Sequence, residues 1–280
     1  MDSVHFLVNG EEIGLISRQR TSVATTHFTV LLPLAASVLV GLLLLPTVAL
    51  LAHQPWTHLI GVWRQLGMGP LGISLMTTLI AMVIMTLAGT PLGWWIARGG
   101  RGWRVLEYSL LFPLLMPPLV VGLVLAYLLG PYGLFGPWFH ALGISGTNSE
   151  LAVVVAEIYE AMPYYILAVI ASVRQVPRAL EQVAWVLGCP PWKAAWRVLL
   201  PLAWPGLVAG LAMAFARAVG AFGAVIVVAY FPHTLPVAIW VGLQEQGIRA
   251  AFPLALLLLL VALPAPLILF VWRRMPHADL

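Results

Sequence analysis

Residues 28–52 contain no acidic or basic side chain. As a helix, such a run is longer than the roughly 30 Å hydrocarbon core of a bilayer requires. The run exceeds a signal-peptide core and lacks a small-residue cleavage site, so it reads as a spanning helix. Comparable runs follow at 71–97, about 107–129, 150–173, 202–229 and 251–272. In lipid, backbone polar groups must be satisfied internally, which for runs of this length means helices. With 61% hydrophobic and 9% charged residues, against roughly 45–50% and 25% in soluble domains, the expected fold is all-α. It is a polytopic membrane protein with six transmembrane helices.

The basic residues orient these spans. Arg18, Arg20, Arg98, Arg101, Arg104, Arg174, Arg178, Lys193, Arg197, Arg273 and Arg274 fall on one side, and Arg64 and Arg249 on the other. Lys and Arg accumulate in cytoplasmic loops, so both termini are expected in the cytoplasm of a multi-pass inner-membrane protein. The expected organisation is an N-terminal tail 1–27, a membrane domain 28–275 and a C-terminal tail 276–280. Residues 53–70 read as a moderately polar loop and 130–149 as an outer loop with interfacial aromatic anchors. Residues 230–249 read as an outer loop or re-entrant segment. Pro113, Pro117, Pro118 and Gly122 predict a broken or kinked third span.

One inside segment, residues 180–201, is too polar to cross. Leu180, Val183, Ala184 and Leu187 share a helical face with Glu181 and Gln182 turned away, Gly188 ends that helix, and Pro190 and Pro191 start another. Trp192, Ala195, Trp196 and Leu199 repeat the spacing, with Lys193 and Arg197 on a second face. The pattern predicts two helices joined by an elbow and lying along the membrane surface. Cys189, the single cysteine, excludes an internal disulfide and reads as a small residue of that elbow.

This island resembles the coupling motif of ABC importer permeases, E-A-A, three residues, Gly, nine residues, then I-x-L-P. Gln182, Val183 and Ala184 fill the first positions, Gly188 the glycine, and Val198, Leu200 and Pro201 the last. Gln182 and Val183 depart from the motif, and Glu181 supplies a carboxylate one residue earlier. The resemblance implies the type I, MetI-like permease fold, with the coupling helices at 178–201 docking on a separate ATPase. Glu181, Gln182, Ala184, Gly188, Lys193, Leu200 and Pro201 would carry the coupling.

Residues 217–232 resemble a segment of permeases for molybdate, tungstate and, more loosely, sulfate. Arg217, Ala218, Gly220, Phe222, Gly223 and Ala224 match it, as do Tyr230, Phe231 and Pro232, while Ala221 stands where that family usually has Glu. An ionisable residue inside a span is a candidate functional site. Arg217 either pairs with Glu157 or Glu160, one turn apart on span four, or meets a passing anion. Phe222 is either a hydrophobic gate or ordinary packing, and Gly206, Gly210, Gly220 and Gly223 permit close helix packing or a hinge.

The resemblance implies an oxyanion importer working by alternating access, with ABC ATPase subunits, an extracytoplasmic substrate-binding protein and a homodimeric arrangement in the lipid bilayer. Alternatives are a thiamine, ferric iron or polyamine permease, or an ion-coupled secondary transporter. No catalytic residue, cofactor, metal site or nucleic-acid partner is expected. The Gly143-Ile144-Ser145-Gly146 run has the form of a serine-protease motif but reads as a loop turn. No Walker loop is present in the sequence.

Overall fold

The structure is a computed structural model describing residues 33–57, 59–100 and 102–267. The expected tails, the start of span one, Arg18, Arg20, Arg101, Arg273 and Arg274 lie outside these residues. Among the described residues there are helices and no strands. Helix α1, Pro33–Ala52, belongs to a unit of its own. Its Leu34, Val38, Leu43 and Val48 are exposed, as side chains solvated by lipid would be.

The second unit begins with α2, Leu59–Arg98. This corrects the expected loop at 53–70, because the helix starts before Gly67, Gly69 and Pro70. Its early turns are widened at Trp63–Gly67, and the Trp63 indole N–H donates to the Pro253 carbonyl at 2.7 Å. The third span is broken as expected, into α3, Trp103–Leu115, and α4, Pro118–Leu129, bent by 102°. Met116 and Pro117 are extended, and Pro118 then opens the new helix. Helix α5, Gly136–Ala141, lies in the next loop, where the Ser145 hydroxyl donates to the Thr147 carbonyl as part of a turn.

Helix α6, Glu150–Gln175, organises the core. Ser149 caps it by accepting from the Ala152 N–H at 3.2 Å. On one side Gly89 and Gly93 of α2 meet Tyr165 and Val169, where an added Cβ would stand 2.9 and 2.6 Å away. On the other, Gly206 and Gly210 face Ser172 and Ala168. Paired glycines four residues apart let helix backbones close in without lipid between them. Met85, Ile166, Val169, Leu199 and Leu207 fill the resulting core.

After the short α7, Arg178–Val186, helix α8 runs unbroken from Pro191 to Val219. The expected second surface helix is therefore the first part of span five, carried through by a widened turn at Ala195–Leu199. Span five stops at Val219, earlier than expected, because 220–224 leaves the helix before the short α9, Val225–Val228. The stretch expected as an outer loop or re-entrant segment holds the helix α10, Leu235–Gln246. Gly247, at φ 77°, turns the chain into α11, Ile248–Leu267.

Candidate functional site: the coupling island and the buried ion pair

Helix α7 begins after Pro177 with Glu181 in its first turn, where the helix dipole favours a carboxylate. Glu181 is only 4% exposed, because its carboxylate pairs with the Arg98 guanidinium at the end of α2. Arg98 Nη2 also donates to the Val176 carbonyl at 2.9 Å, and Arg178 Nη2 donates to the Arg98 carbonyl at 2.5 Å. Alongside, Arg174 makes a two-pronged contact with Glu107 at 2.7 and 2.6 Å, tying α6 to α3.

The face of α7 is thus the reverse of the expected one for Glu181. Its carboxylate is inside, and Val183, Val186 and Leu187 are outside, at 57%, 87% and 80% exposure. The physical reason is Arg98: a guanidinium removed from water requires a carboxylate, and among the described residues Glu181 supplies it. Gln182 is exposed and Ala184 half-buried.

At the end of α7 the Gly188 N–H donates to the Trp185 carbonyl and the Cys189 N–H to the Ala184 carbonyl, both at 2.9 Å. Gly188 sits at φ 81°. These bonds form a Schellman termination, which favours glycine at the left-handed position. Beyond the elbow, Lys193 stands over the Trp192 ring at 5.4 Å. Leu200 is half-buried and Pro201 exposed.

The second constellation lies where span five breaks. Arg217 Nη1 is 2.7 Å from Glu160 Oε2, and Glu160 Oε1 accepts from the Ala224 N–H at 3.3 Å. One carboxylate therefore holds both the last turn of α8 and the far end of the non-helical stretch 220–224. Glu157, one turn away, does not join this pair and instead accepts from the Thr77 and Thr78 hydroxyls at 3.0 and 3.1 Å. Ala221 is buried among Val121, Ala224 and Val225.

The broken third and fifth spans meet here. An added Cβ on Gly223 would stand 2.5 Å from Pro118 Cβ, and one on Gly122 would stand 2.6 Å from the Ala224 carbonyl. Gly220 meets no such obstacle apart from its own helix end. Phe222 is half-buried against Trp240, ring centroids 5.8 Å apart.

The structure brings together Glu160, Arg217, Gly223 and Phe222, and leaves Glu157 beside them with different partners. Sequence reasoning missed Thr77 and Thr78, whose signal is a pair of hydroxyls in an apolar run. It also missed Arg98 as the partner of Glu181 and Glu107 as the partner of Arg174.

The sequence profile of the family described as binding-protein-dependent transport system inner membrane component matches residues 89–275. A probable molybdenum ABC transporter permease of Haloferax volcanii is 36% identical over 237 residues, covering 84% of this chain and 87% of that protein. The molybdenum transport system permease ModB of Mycobacterium tuberculosis is 38% identical over 209 residues, 73% and 78% of the two chains. A sulfate transport system permease CysT of Synechocystis is 30% identical over 232 residues, 79% and 81%. Among solved structures, a chain of a bacterial alginate ABC transporter aligns with a TM-score of 0.69 at 15% identity, over 90% of this chain and 95% of that one. A chain of the MetNI methionine ABC transporter aligns at 0.57 and 19%, over 78% and 95%. These likenesses in structure establish a shared helical fold.

Proposed function

The chain belongs to the family of binding-protein-dependent transport system inner membrane components, and from that premise we propose that it is the permease subunit of an ATP-driven oxyanion importer. Molybdate or tungstate is the first choice of substrate, ahead of sulfate, because relatives named for molybdenum are 36–38% identical and those named for sulfate 27–30%. The observation that carries the ATP-driven reading is the exposed apolar end of α7, Val183, Val186 and Leu187, on a helix whose root is fixed by Arg98 and Glu181. A firm root and an apolar tip suit docking into a groove on an ATPase subunit, with Gln182, Ala184, Gly188, Lys193, Leu200 and Pro201 shaping the elbow.

In this reading the island faces the cytoplasm, as do both termini, and a substrate-binding protein delivers the anion from outside. Two copies of the chain enclose the pathway. Nucleotide-driven closure of the ATPases moves the elbow, and α8 carries that movement inward. From Pro191 to Arg217 it is one helix, about 40 Å long at 1.5 Å per residue, so displacement at the elbow arrives at the Arg217–Glu160 pair. The bonds of Arg98 to Glu181 and Val176 move α2 with it. Opening the break at 220–224 then exchanges access between the two sides, with Phe222 as the apolar barrier and Gly220 and Gly223 as the flexible backbone. Hydrolysis takes place in the ATPase, and this chain is not itself an enzyme.

The test is uptake of radiolabelled molybdate, tungstate and sulfate into cells lacking their own carriers, with the chain expressed beside its ATPase and binding protein. Saturable oxyanion uptake that ceases without the ATPase is the expected result. Uptake of thiamine, ferric iron or polyamine without oxyanion uptake would overturn the substrate, and uptake on an ion gradient without the ATPase would overturn the mechanism.

A further inference from the structure

Trp192 and Trp196 stand on the wrong side of α8 for a regular helix. Its buried face is made by Leu199, Ala203, Leu207, Gly210, Ala214 and Ala218. Trp196 precedes Ala214 by 18 positions, about five full turns. A regular helix would therefore point the two the same way, with Trp192 within about 40° of them and Ala195 about 100° off. The structure has the opposite arrangement: Ala195 is 5% exposed, Trp192 61% and Trp196 66%.

The widened turn is the cause. The Leu200 N–H donates to the Ala195 carbonyl, five residues back instead of four, so Ala195–Leu199 takes up one extra residue and rotates what precedes it by about 100°. Ala195 comes onto the buried face and both indoles leave it. An indole has an apolar body and one N–H donor, which suits the boundary between lipid and water.

The charges beside the rings say what lies there. Lys193 and Arg197 are one turn apart and share a face, and the Lys193 ammonium is 5.4 Å from the centre of the Trp192 ring. Neither belongs to an ion pair found among the described residues. Between Gln182 and Gln244 the chain has no Asp or Glu, so α8 offers no carboxylate to offset them.

We propose that Trp192, Lys193, Trp196 and Arg197 form a binding surface for anionic phospholipid headgroups, turned outward by the widened turn. A headgroup of net negative charge is attracted by both cations, whereas a zwitterionic one brings its own cation and is attracted less. The proposal rests on the reading of the island as cytoplasmic, because the cytoplasmic leaflet carries the negative surface potential. The surface is separate from the docking tip, since Val183, Val186 and Leu187 belong to α7 on the other side of the Gly188 elbow. Holding the start of α8 at a fixed depth makes movement of the elbow pass along α8 instead of being lost as rolling in the lipid.

The experiment uses the full chain, co-purified with its ATPase and reconstituted in phosphatidylcholine bilayers containing either brominated phosphatidylglycerol or brominated phosphatidylcholine, with quenching of tryptophan fluorescence as the readout. In wild type the brominated phosphatidylglycerol quenches more, and the excess disappears in Trp192→Phe, Trp196→Phe. Arg197→Gln lowers the relative affinity for phosphatidylglycerol by about fivefold, the worth of one basic group near an anionic surface, and Arg197→Lys, which keeps the charge, retains it. The ATPase co-purifies with all of these chains, because α7 is unchanged. Equal quenching by the two lipids in wild type, or an excess that survives the loss of both indoles, overturns the proposal. So does an Arg197→Gln chain that loses the ATPase and keeps the lipid preference, since the face would then be a protein contact. A wild-type chain that shows the lipid preference but does not co-purify with the ATPase overturns the coupling reading alone.

Discussion

Arg217 on α8 and Glu160 on α6 are 57 positions apart and meet at 2.7 Å, where the carboxylate also receives the Ala224 N–H. The pair therefore joins the two core helices at the point where span five stops being helical. Glu160 is buried and the Arg217 side chain is 31% exposed, so removing the carboxylate strands a partly dehydrated guanidinium. Breaking a buried pair costs about 3–5 kcal/mol, and the partial exposure of Arg217 puts Glu160→Gln near the lower end. The double variant Glu160→Gln, Arg217→Gln regains part of that loss. Thermal unfolding of the purified chain in a double-mutant cycle measures both, and strictly additive losses would contradict a direct interaction.

A different consequence follows at the cytoplasmic end. Arg98 and Glu181 fasten the coupling helix to α2, so Glu181→Gln loosens the root without touching the exposed tip. The expected outcome is ATP hydrolysis that continues while uptake per ATP falls, because α7 no longer moves α2 with it. Charge exchange, Arg98→Glu with Glu181→Arg, recovers part of the ratio where either change alone does not. The measurement is uptake and phosphate release on the same proteoliposomes.

Most of the helical architecture was legible because apolar runs report bilayer crossing directly. The beginning of α2 was not, since Gly67, Gly69, Pro70 and Gly72 dilute the run at and just after the widened turn Trp63–Gly67. Helix α10 was legible only as an outer loop or re-entrant segment, because Gln244, Glu245 and Gln246 make its end as polar as a loop. For the sites, the carboxylates available to Arg217 could be narrowed to Glu157 and Glu160 from sequence because the charges inside the spans are so few, but the choice of Glu160 needed the structure. Glu181 was misread, since helical periodicity sorts residues by polarity and carries no information that Arg98, 83 positions earlier, requires a carboxylate. Thr77 and Thr78 gave no reason to be matched with Glu157, because a hydroxyl can be satisfied by its own helix.

The crossing of the two broken spans gives a third expectation. Gly122→Ala places a methyl 2.6 Å from the Ala224 carbonyl, a backbone atom that cannot swing aside. Overpacking of this kind costs about 1–3 kcal/mol and displaces α4 from 220–224. Uptake falls while ATPase binding is unchanged, because the elbow is untouched. Wild-type uptake by Gly122→Ala would mean that α4 moves freely past the break.

Val186 tests the docking surface by itself. At 87% exposure it supports nothing inside the chain, so Val186→Asp leaves thermal stability within about 0.5 kcal/mol, as surface changes do. In an apolar groove the same carboxylate would be buried unpaired, and co-purification of the ATPase is lost. Retained co-purification together with full uptake would remove the apolar end of α7 from the interface.

Gly188 separates backbone geometry from bulk. An added Cβ meets no atom within 4 Å, so size alone is tolerated, whereas φ 81° is strained for a side chain, at roughly 1–2 kcal/mol for L-residues. Asn adopts this region more readily than other residues, and β-branched residues least. The expected order of ATP-coupled uptake is therefore Gly, then Gly188→Asn, then Gly188→Ala, with Gly188→Val lowest as the Schellman termination opens and the elbow loses its angle. Measuring uptake and ATPase activity across the four chains checks it. Equal activity in Gly188→Val would show that the left-handed turn is dispensable for coupling.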